Sequence, residues 1–239
     1  MGGHRSVLRA VLQAGSLAAL SALSGCTGPL SALDPSGPAA ASIATLWWVM
    51  LIGSAVLFLL VIGIFIQVFR RPGWGSSVSP MRWIVLGGLV LPAFVLLPLL
   101  AYGLVTGERL LPLPGSAPPQ RIEAVAAQWA WTFRYPEHGG AETRNVLLLP
   151  AGQPVDMAVT SKDVIHAFWV PRFAGKIDAV PGRTNRLRIQ ADHPGRYEGT
   201  CDEFCGLGHA GMRFVVIVHR PEDFSAALTQ ALEAPEAKK

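Results

Sequence analysis

Charge is what this sequence has least of. Of its 239 residues, 15% are Asp, Glu, Lys or Arg, against about a quarter in a typical soluble domain. With 51% hydrophobic residues, that excludes a disordered chain and argues against an ordinary cytosolic globule. The formal net charge of +4 does not mark a nucleic-acid binder, because of where it lies. Met1 to Pro119 holds six basic residues (Arg5, Arg9, Arg70, Arg71, Arg82, Arg109) and two acidic ones (Asp34, Glu108), which account for the whole surplus. From Gln120 onward, 14 basic and 14 acidic residues cancel. No nucleic-acid partner is expected. Cysteine is also scarce: Cys26, Cys201 and Cys205, an odd number that in an exported protein needs a reason for each. There is no Cys-x-x-Cys-His, which excludes a covalently attached c-type haem, and no internal repeat.

The first half reads as a membrane-delivery device. Arg5 and Arg9 precede an Ala/Leu-rich stretch from Ala10 to Leu23, too short and too interrupted for a spanning helix. Leu23-Ser24-Gly25-Cys26 resembles a lipobox, the pattern of bacterial lipoproteins. That implies a signal peptide over 1–25, cleavage before Cys26 and lipid on its thiol. Residues 26–42, rich in Pro, Gly, Ser and Ala, read as a flexible linker. No charge appears between Asp34 and Arg70. The 24 residues from Leu46 to Phe69 would rise ~36 Å as a helix, enough to cross a hydrocarbon core of ~30 Å. A second uncharged stretch runs from Trp83 to Gly107. A transmembrane hairpin over 43–107 is predicted, with helices at about 46–69 and 83–106. Arg70, Arg71 and Arg82 in the connecting loop place it in the cytoplasm. The mature N-terminus and everything past the hairpin then lie on the periplasmic or extracytoplasmic side of a bacterial cell membrane.

After a Pro-rich linker over 108–119 the pattern changes to period two. Trp129, Trp131, Phe133 and Tyr135 alternate with Ala130, Thr132 and Arg134. Further strands are predicted at Asn145–Leu149, Val155–Thr160, Asn185–Gln190, Gly195–Thr200 and Arg213–His219, separated by turn residues. Short strands at this spacing suggest an antiparallel sandwich or barrel over 120–221. A C-terminal helix and tail over 222–239 complete the chain.

The chemistry concentrates in Cys201-Asp202-Glu203-Phe204-Cys205-Gly206-Leu207-Gly208-His209-Ala210-Gly211-Met212. Thiolate, imidazole and thioether ligands together select copper. A mononuclear blue-copper loop would use one Cys; two thiolates separated by three residues can bridge two metal ions. A second imidazole then has to come from another loop, and His166, just past the Val155–Thr160 strand, is best placed. The alternatives are a Cys201–Cys205 disulfide and a structural zinc site, which normally has tighter Cys spacing and no Met. His138, His193 and His219 read as surface or structural residues.

This segment resembles the binuclear copper (CuA) loop of cytochrome c oxidase subunit II. Gln128-Trp129-Ala130-Trp131 and the run from Asp163-Val164-Ile165-His166 through Lys176-Ile177-Asp178-Ala179-Val180-Pro181-Gly182-Arg183 resemble that family as well. The resemblance implies two spanning helices followed by an all-β cupredoxin-like Greek-key domain outside the membrane. It implies two copper ions bridged by Cys201 and Cys205, with His166 and His209 as terminal ligands, Met212 on one copper and the Glu203 carbonyl on the other. The Glu203 side chain would face a Mg²⁺ or Mn²⁺ shared with the catalytic subunit. Trp129 would be the aromatic point of electron input from cytochrome c, and Trp131 structural. The implied partners are the haem–copper catalytic subunit I, other oxidase subunits, cytochrome c and membrane lipid. The implied role is electron transfer into an oxidase that reduces oxygen to water with proton pumping; no residue of this chain would be catalytic in oxygen reduction itself.

The sequence departs from the family in two places. No carboxylate stands near Ser77–Trp83, where many such subunits carry a Glu at a proton pathway, and Lys162 stands where an acidic residue is common. Glu123, Glu142, Asp163 and Asp202 are the acidic residues expected near the input surface. The rival functions are a quinol-oxidase subunit II, which lacks the copper ligands; a membrane-tethered copper carrier, which favours an open site; and the copper subunit of another respiratory reductase.

Overall fold

The computed structural model describes residues 26–108 and 120–233. The signal peptide expected over 1–25, most of the Pro-rich linker and the end of the tail lie outside the described residues.

Pro38, whose fixed φ suits the first helical turn, opens helix α1, Pro38–Arg70. At 33 residues it is ~50 Å long. The loop after it, where the Trp83 Nε1–H donates to the Gly75 carbonyl at 3.4 Å, leads to α2, Pro80–Glu108. Within α2 the run Leu86–Val90 winds as a π-helix. Pro92 follows it and has no N–H to offer the Gly88 carbonyl. A wider turn containing Gly87 and Gly88 relieves the clash that a proline ring imposes on the preceding turn. Both helices are long and apolar enough to cross a membrane, and their Leu, Val, Ile and Phe side chains are exposed along nearly their whole length.

The domain that follows is built on two five-stranded sheets. The strands are β1 Gln120–Ala127, β2 Ala130–Tyr135, β3 Ala141–Arg144, β4 Val146–Pro150, β5 Val155–Ser161, β6 His166–Trp169, β7 Ile177–Ala179, β8 Asn185–Ile189, β9 Gly195–Cys201 and β10 Arg213–His219. The first sheet has the order β3-β2-β1-β5-β8, the second β4-β10-β9-β6-β7. The sheets are mixed rather than purely antiparallel: β1 runs parallel to β5 and β4 parallel to β10. Trp131 and Phe133 from the first sheet meet Phe168 and Phe214 from the second with ring centroids 5.2–6.3 Å apart. That is the spacing of favourable aromatic pairs. Gly199 leaves room for the Phe214 ring, which a Cβ there would overlap. Helix α3, Pro221–Glu233, buries Phe224 and Leu228 and sets Phe224 6.5 Å from the Tyr135 ring.

The segment expected to be a flexible linker is bound instead. Arg172 donates through Nε to the Asp34 carbonyl (2.7 Å) and pairs with its carboxylate (3.0 Å). The Ser36 N–H donates to Arg172 O, the Ala40 N–H to Phe173 O and the Asp192 N–H to Ser36 O. Gly37 lies so close to the Gln190 carbonyl that a Cβ would overlap it. The helix therefore starts at Pro38, because this strap and the first turn of α1 are packed on the β domain.

Candidate metal centre

Strand pairing places the chemical residues. The β9–β10 register sets Thr200 opposite Arg213, so residues 202–212 form the connection between two antiparallel neighbours. The Cys201 N–H donates to Met212 O at 2.9 Å, closing that connection. Inside it, Gly206 takes φ +114°, a left-handed value that glycine alone adopts freely. A 3₁₀ turn at His209–Gly211 brings the chain back. On the other side β9 pairs with β6, Cys201 opposite Phe168, which sets His166, the first residue of β6, beside Cys201.

The donor atoms converge. Cys201 Sγ is 3.9 Å from Cys205 Sγ, 3.8 Å from His166 Nδ1 and 3.3 Å from the Glu203 carbonyl oxygen. Cys205 Sγ is 3.6 Å from His209 Nδ1 and 3.8 Å from Met212 Sδ. Atoms bonded to one metal at ~2.0–2.3 Å stand roughly 3.5–4 Å apart, so the set fits metal ligation. Both cysteines are free. His166, Cys201 and Cys205 form a buried trio whose ligand atoms lie within 4.8 Å of one another. Met212 is fully buried and His209 half-buried. All six residues singled out as ligands thus face one small volume.

The surroundings orient the ligands. His166 turns its other nitrogen, Nε2, to Asp163 Oδ1 at 2.8 Å. A carboxylate behind a ligating imidazole fixes the ring's orientation and raises its basicity. Desolvation would raise the Asp163 carboxyl, but hydrogen bonds from the Gln128 N–H, His166 and the Val164 N–H outweigh it and hold the pKa at about 2. Burial, with Cys201 adjacent, pushes the Cys205 thiol up to about 11; a cation in the site favours the thiolate form that ligates.

Two residues quoted in the sequence motifs have supporting roles that the sequence reading did not assign. Gln128 donates its N–H to Asp163 Oδ2 (2.7 Å) and its side-chain Nε2 to the Cys205 carbonyl (2.8 Å), joining the two ligand-bearing loops. Asp163 counted earlier as a motif residue and as an acidic residue near the input surface, with no role behind His166; its place three residues before that histidine was the available signal. Trp129 is 42% exposed and donates Nε1–H to the Cys205 carbonyl at 3.3 Å. Its ring fills the space over Gly208, where a Cβ would overlap it. Trp131 is fully buried in the core, 6.3 Å from the His166 ring.

The Glu203 side chain pairs with Lys176 at 3.2 Å. That hydrogen bond, more than the nearby Asp178 and Asp202, raises the Lys176 pKa against a smaller desolvation effect. His138 sits against Gln120 and Phe224, and the His193 carbonyl accepts from Tyr197; neither has a partner ligand among the described residues. Cys26 is half-buried, and its carbonyl accepts from the Ser31 hydroxyl at 2.7 Å.

Comparison with known proteins gives a consistent group. A family model described as cytochrome c oxidase subunit II, periplasmic domain, matches residues 140–219. Cytochrome c oxidase subunit 2 of Alkalihalophilus pseudofirmus is 32% identical over 223 residues, 85% of this chain and 63% of the relative. Cytochrome bo(3) ubiquinol oxidase subunit 2 of Pseudomonas putida is 30% identical over 233 residues, 90% of this chain and 70% of the relative. The chain therefore spans about two thirds of the length of these relatives. Among solved structures, the periplasmic domain of subunit II of cytochrome oxidase of Bradyrhizobium japonicum aligns with 49% of this chain and 96% of its own, at 32% identity and a TM-score of 0.47.

Proposed function

The chain belongs to the subunit II family of haem–copper oxidases, and from that premise we propose that it is the electron-input subunit of a cytochrome c oxidase. The observation that carries the reading is the closed donor set of Cys201, Cys205, His166, His209, Met212 and the Glu203 carbonyl. These residues would hold a pair of copper ions. Bound there, copper supplies one-electron transfer between a cytochrome c donor and the haem–copper catalytic subunit, where oxygen is reduced to water with proton pumping.

The protein's own residues do the rest. Asp163 and Gln128 hold the His166 and Cys205 loops in register. Trp129 lies between solvent and the Cys205 carbonyl, the position for electron input. The carboxylate of Glu203, which pairs with Lys176, would share a Mg²⁺ or Mn²⁺ with oxygen ligands of the catalytic subunit. α1 and α2 cross the cell membrane with Arg70, Arg71 and Arg82 on the cytoplasmic side, Cys26 carries lipid, and the domain over 120–221 lies outside.

A quinol-oxidase role is the second reading, favoured by the resemblance to a ubiquinol oxidase subunit. Metal analysis of the purified full-length chain separates the two. Two coppers per chain, with an EPR hyperfine pattern of one unpaired electron shared over both, is the expected result. It should be lost in Cys201→Ser. A folded chain that takes up no copper belongs to the quinol type, and one copper per chain overturns the binuclear centre.

A further inference from the structure

Resting on that reading, we infer that the electron donor is recognised through an apolar, charge-balanced face, so that its contact surface around the haem edge is itself apolar rather than lysine-rich. The observation is a group of exposed hydrophobic side chains on adjoining loops over the candidate centre. Leu207 is 99% exposed, Ile165 47%, Val164 40% and Trp129 42%. The loops are joined: the Gln128 N–H bonds to Asp163, and Trp129 lies against Gly206 and Gly208, on either side of Leu207. A soluble surface has no folding reason to hold a leucine fully in water beside an exposed indole. Aromatic and aliphatic residues with little charge among them mark the centre of a protein contact.

The acidic residues that would steer a basic donor are already held within the chain. Lys162 and Asp163, beside it, have opposite signs, and Asp163 is turned to His166 and the Gln128 N–H. Along β1–β3, Arg121 pairs with Glu123, and Arg134 with Glu142 at 2.6 Å and Glu123 at 3.9 Å. Asp202 and Glu203 are tied to Lys176. That flank abuts the start of α1: Ala40, Ile43, Gly175, Lys176 and Asp202 line one small cavity. It therefore faces the membrane anchor rather than an arriving soluble protein. The four acidic residues that could have formed a docking patch, Glu123, Glu142, Asp163 and Asp202, are each held by an internal partner. A lysine-rich donor would find no surplus of negative charge here. An apolar one would bury Leu207, Ile165 and Val164 around Trp129.

The experiment uses the assembled, copper-loaded oxidase with two c-type cytochromes as probes, one lysine-rich at its haem edge and one neutral and apolar there. The rate of ferrocytochrome oxidation, in which each donor haem goes from ferrous to ferric and gives up one electron, is followed against salt. The expected result is faster oxidation of the neutral donor, changing by less than about twofold across a range of salt that screens surface charge. Leu207→Asp and Ile165→Asp should each lower its kcat/KM by ~tenfold, while copper content and EPR signal stay unchanged. Glu142→Gln should leave it unchanged. The inference is overturned if the lysine-rich donor is preferred with a rate falling tenfold or more with salt, as steered association does, or if both aspartate variants are silent. A preparation without copper fails the underlying functional reading instead, and metal analysis shows it before any donor is added.

Discussion

Tyr135 shows how much one polar atom in the core decides. The residue is fully buried, and its phenol oxygen accepts the Leu148 N–H at 2.8 Å, linking β2 to β4. Replacing it with Phe leaves a buried N–H without an acceptor, which costs ~1–3 kcal/mol; denaturant unfolding of Tyr135→Phe measures it. Burial also pushes the phenol up to about 12, against hydrogen bonds from Leu148 and with Thr143 that pull it down. An unfolded tyrosine ionises near ~10. Between those values the unfolded chain sheds a proton that the folded one keeps, so stability falls as pH rises through that window. The wild type should show the fall in unfolding experiments from pH 9 to 12 and Tyr135→Phe should show less of it; parallel curves would refute the assignment.

The connection between β9 and β10 illustrates what a glycine can fix at the scale of an element. Gly208 has no side chain where the Trp129 ring sits. Gly208→Ala should therefore push the indole off the Cys205 carbonyl and slow donor oxidation as much as Trp129→Ala does, with copper content unchanged. Gly211, with nothing near its missing Cβ, is the control, and Gly211→Ala should behave as wild type. Stopped-flow oxidation of the donor, read beside copper analysis, decides it. Elements also divide what could be read from the sequence. β10 was predicted as Arg213–His219 and forms over those residues, because its run of Val, Val, Ile and Val has high strand propensity. β1 went unread. Gln-Arg-Ile-Glu-Ala-Val-Ala-Ala has weak strand propensity, although Ile122, Ala124 and Ala126 do alternate inward. Its stability comes from pairing with β2 and β5 on both edges, which no local pattern shows. The parallel pairs were hidden for the same reason. Five of the ligands lay in one short segment, Glu203 among them only through the family resemblance, and His166 was legible as the imidazole best placed to join them, just past the predicted Val155–Thr160 strand. The bridging role of Gln128 was not, since it depends on two loops distant in sequence meeting at one side chain.

At the scale of the molecule, the anchor and the β domain are joined by more than the covalent chain. Arg172 clasps Asp34 and covers the Tyr197 ring at 5.2 Å. Removing it in Arg172→Ala should loosen the strap by on the order of 1 kcal/mol. Limited proteolysis would read this as faster cleavage between residues 28 and 37, with the copper signal unaltered; an unchanged cleavage rate would show that the backbone bonds alone hold the strap.

That clasp also sets a time order. Asp34 and Arg172 are 138 residues apart. At synthesis rates of about 5–20 residues per second, Asp34 waits some ~7–30 s for its partner to be made. The Ser36 carbonyl waits longer still, for Asp192. During that interval the helix start has nothing to pack on. The joint closes only once the residues after β6 and β8 have been made and set beside it, so a rigid connection to the membrane waits on most of the β domain, and a domain that misfolds never acquires it.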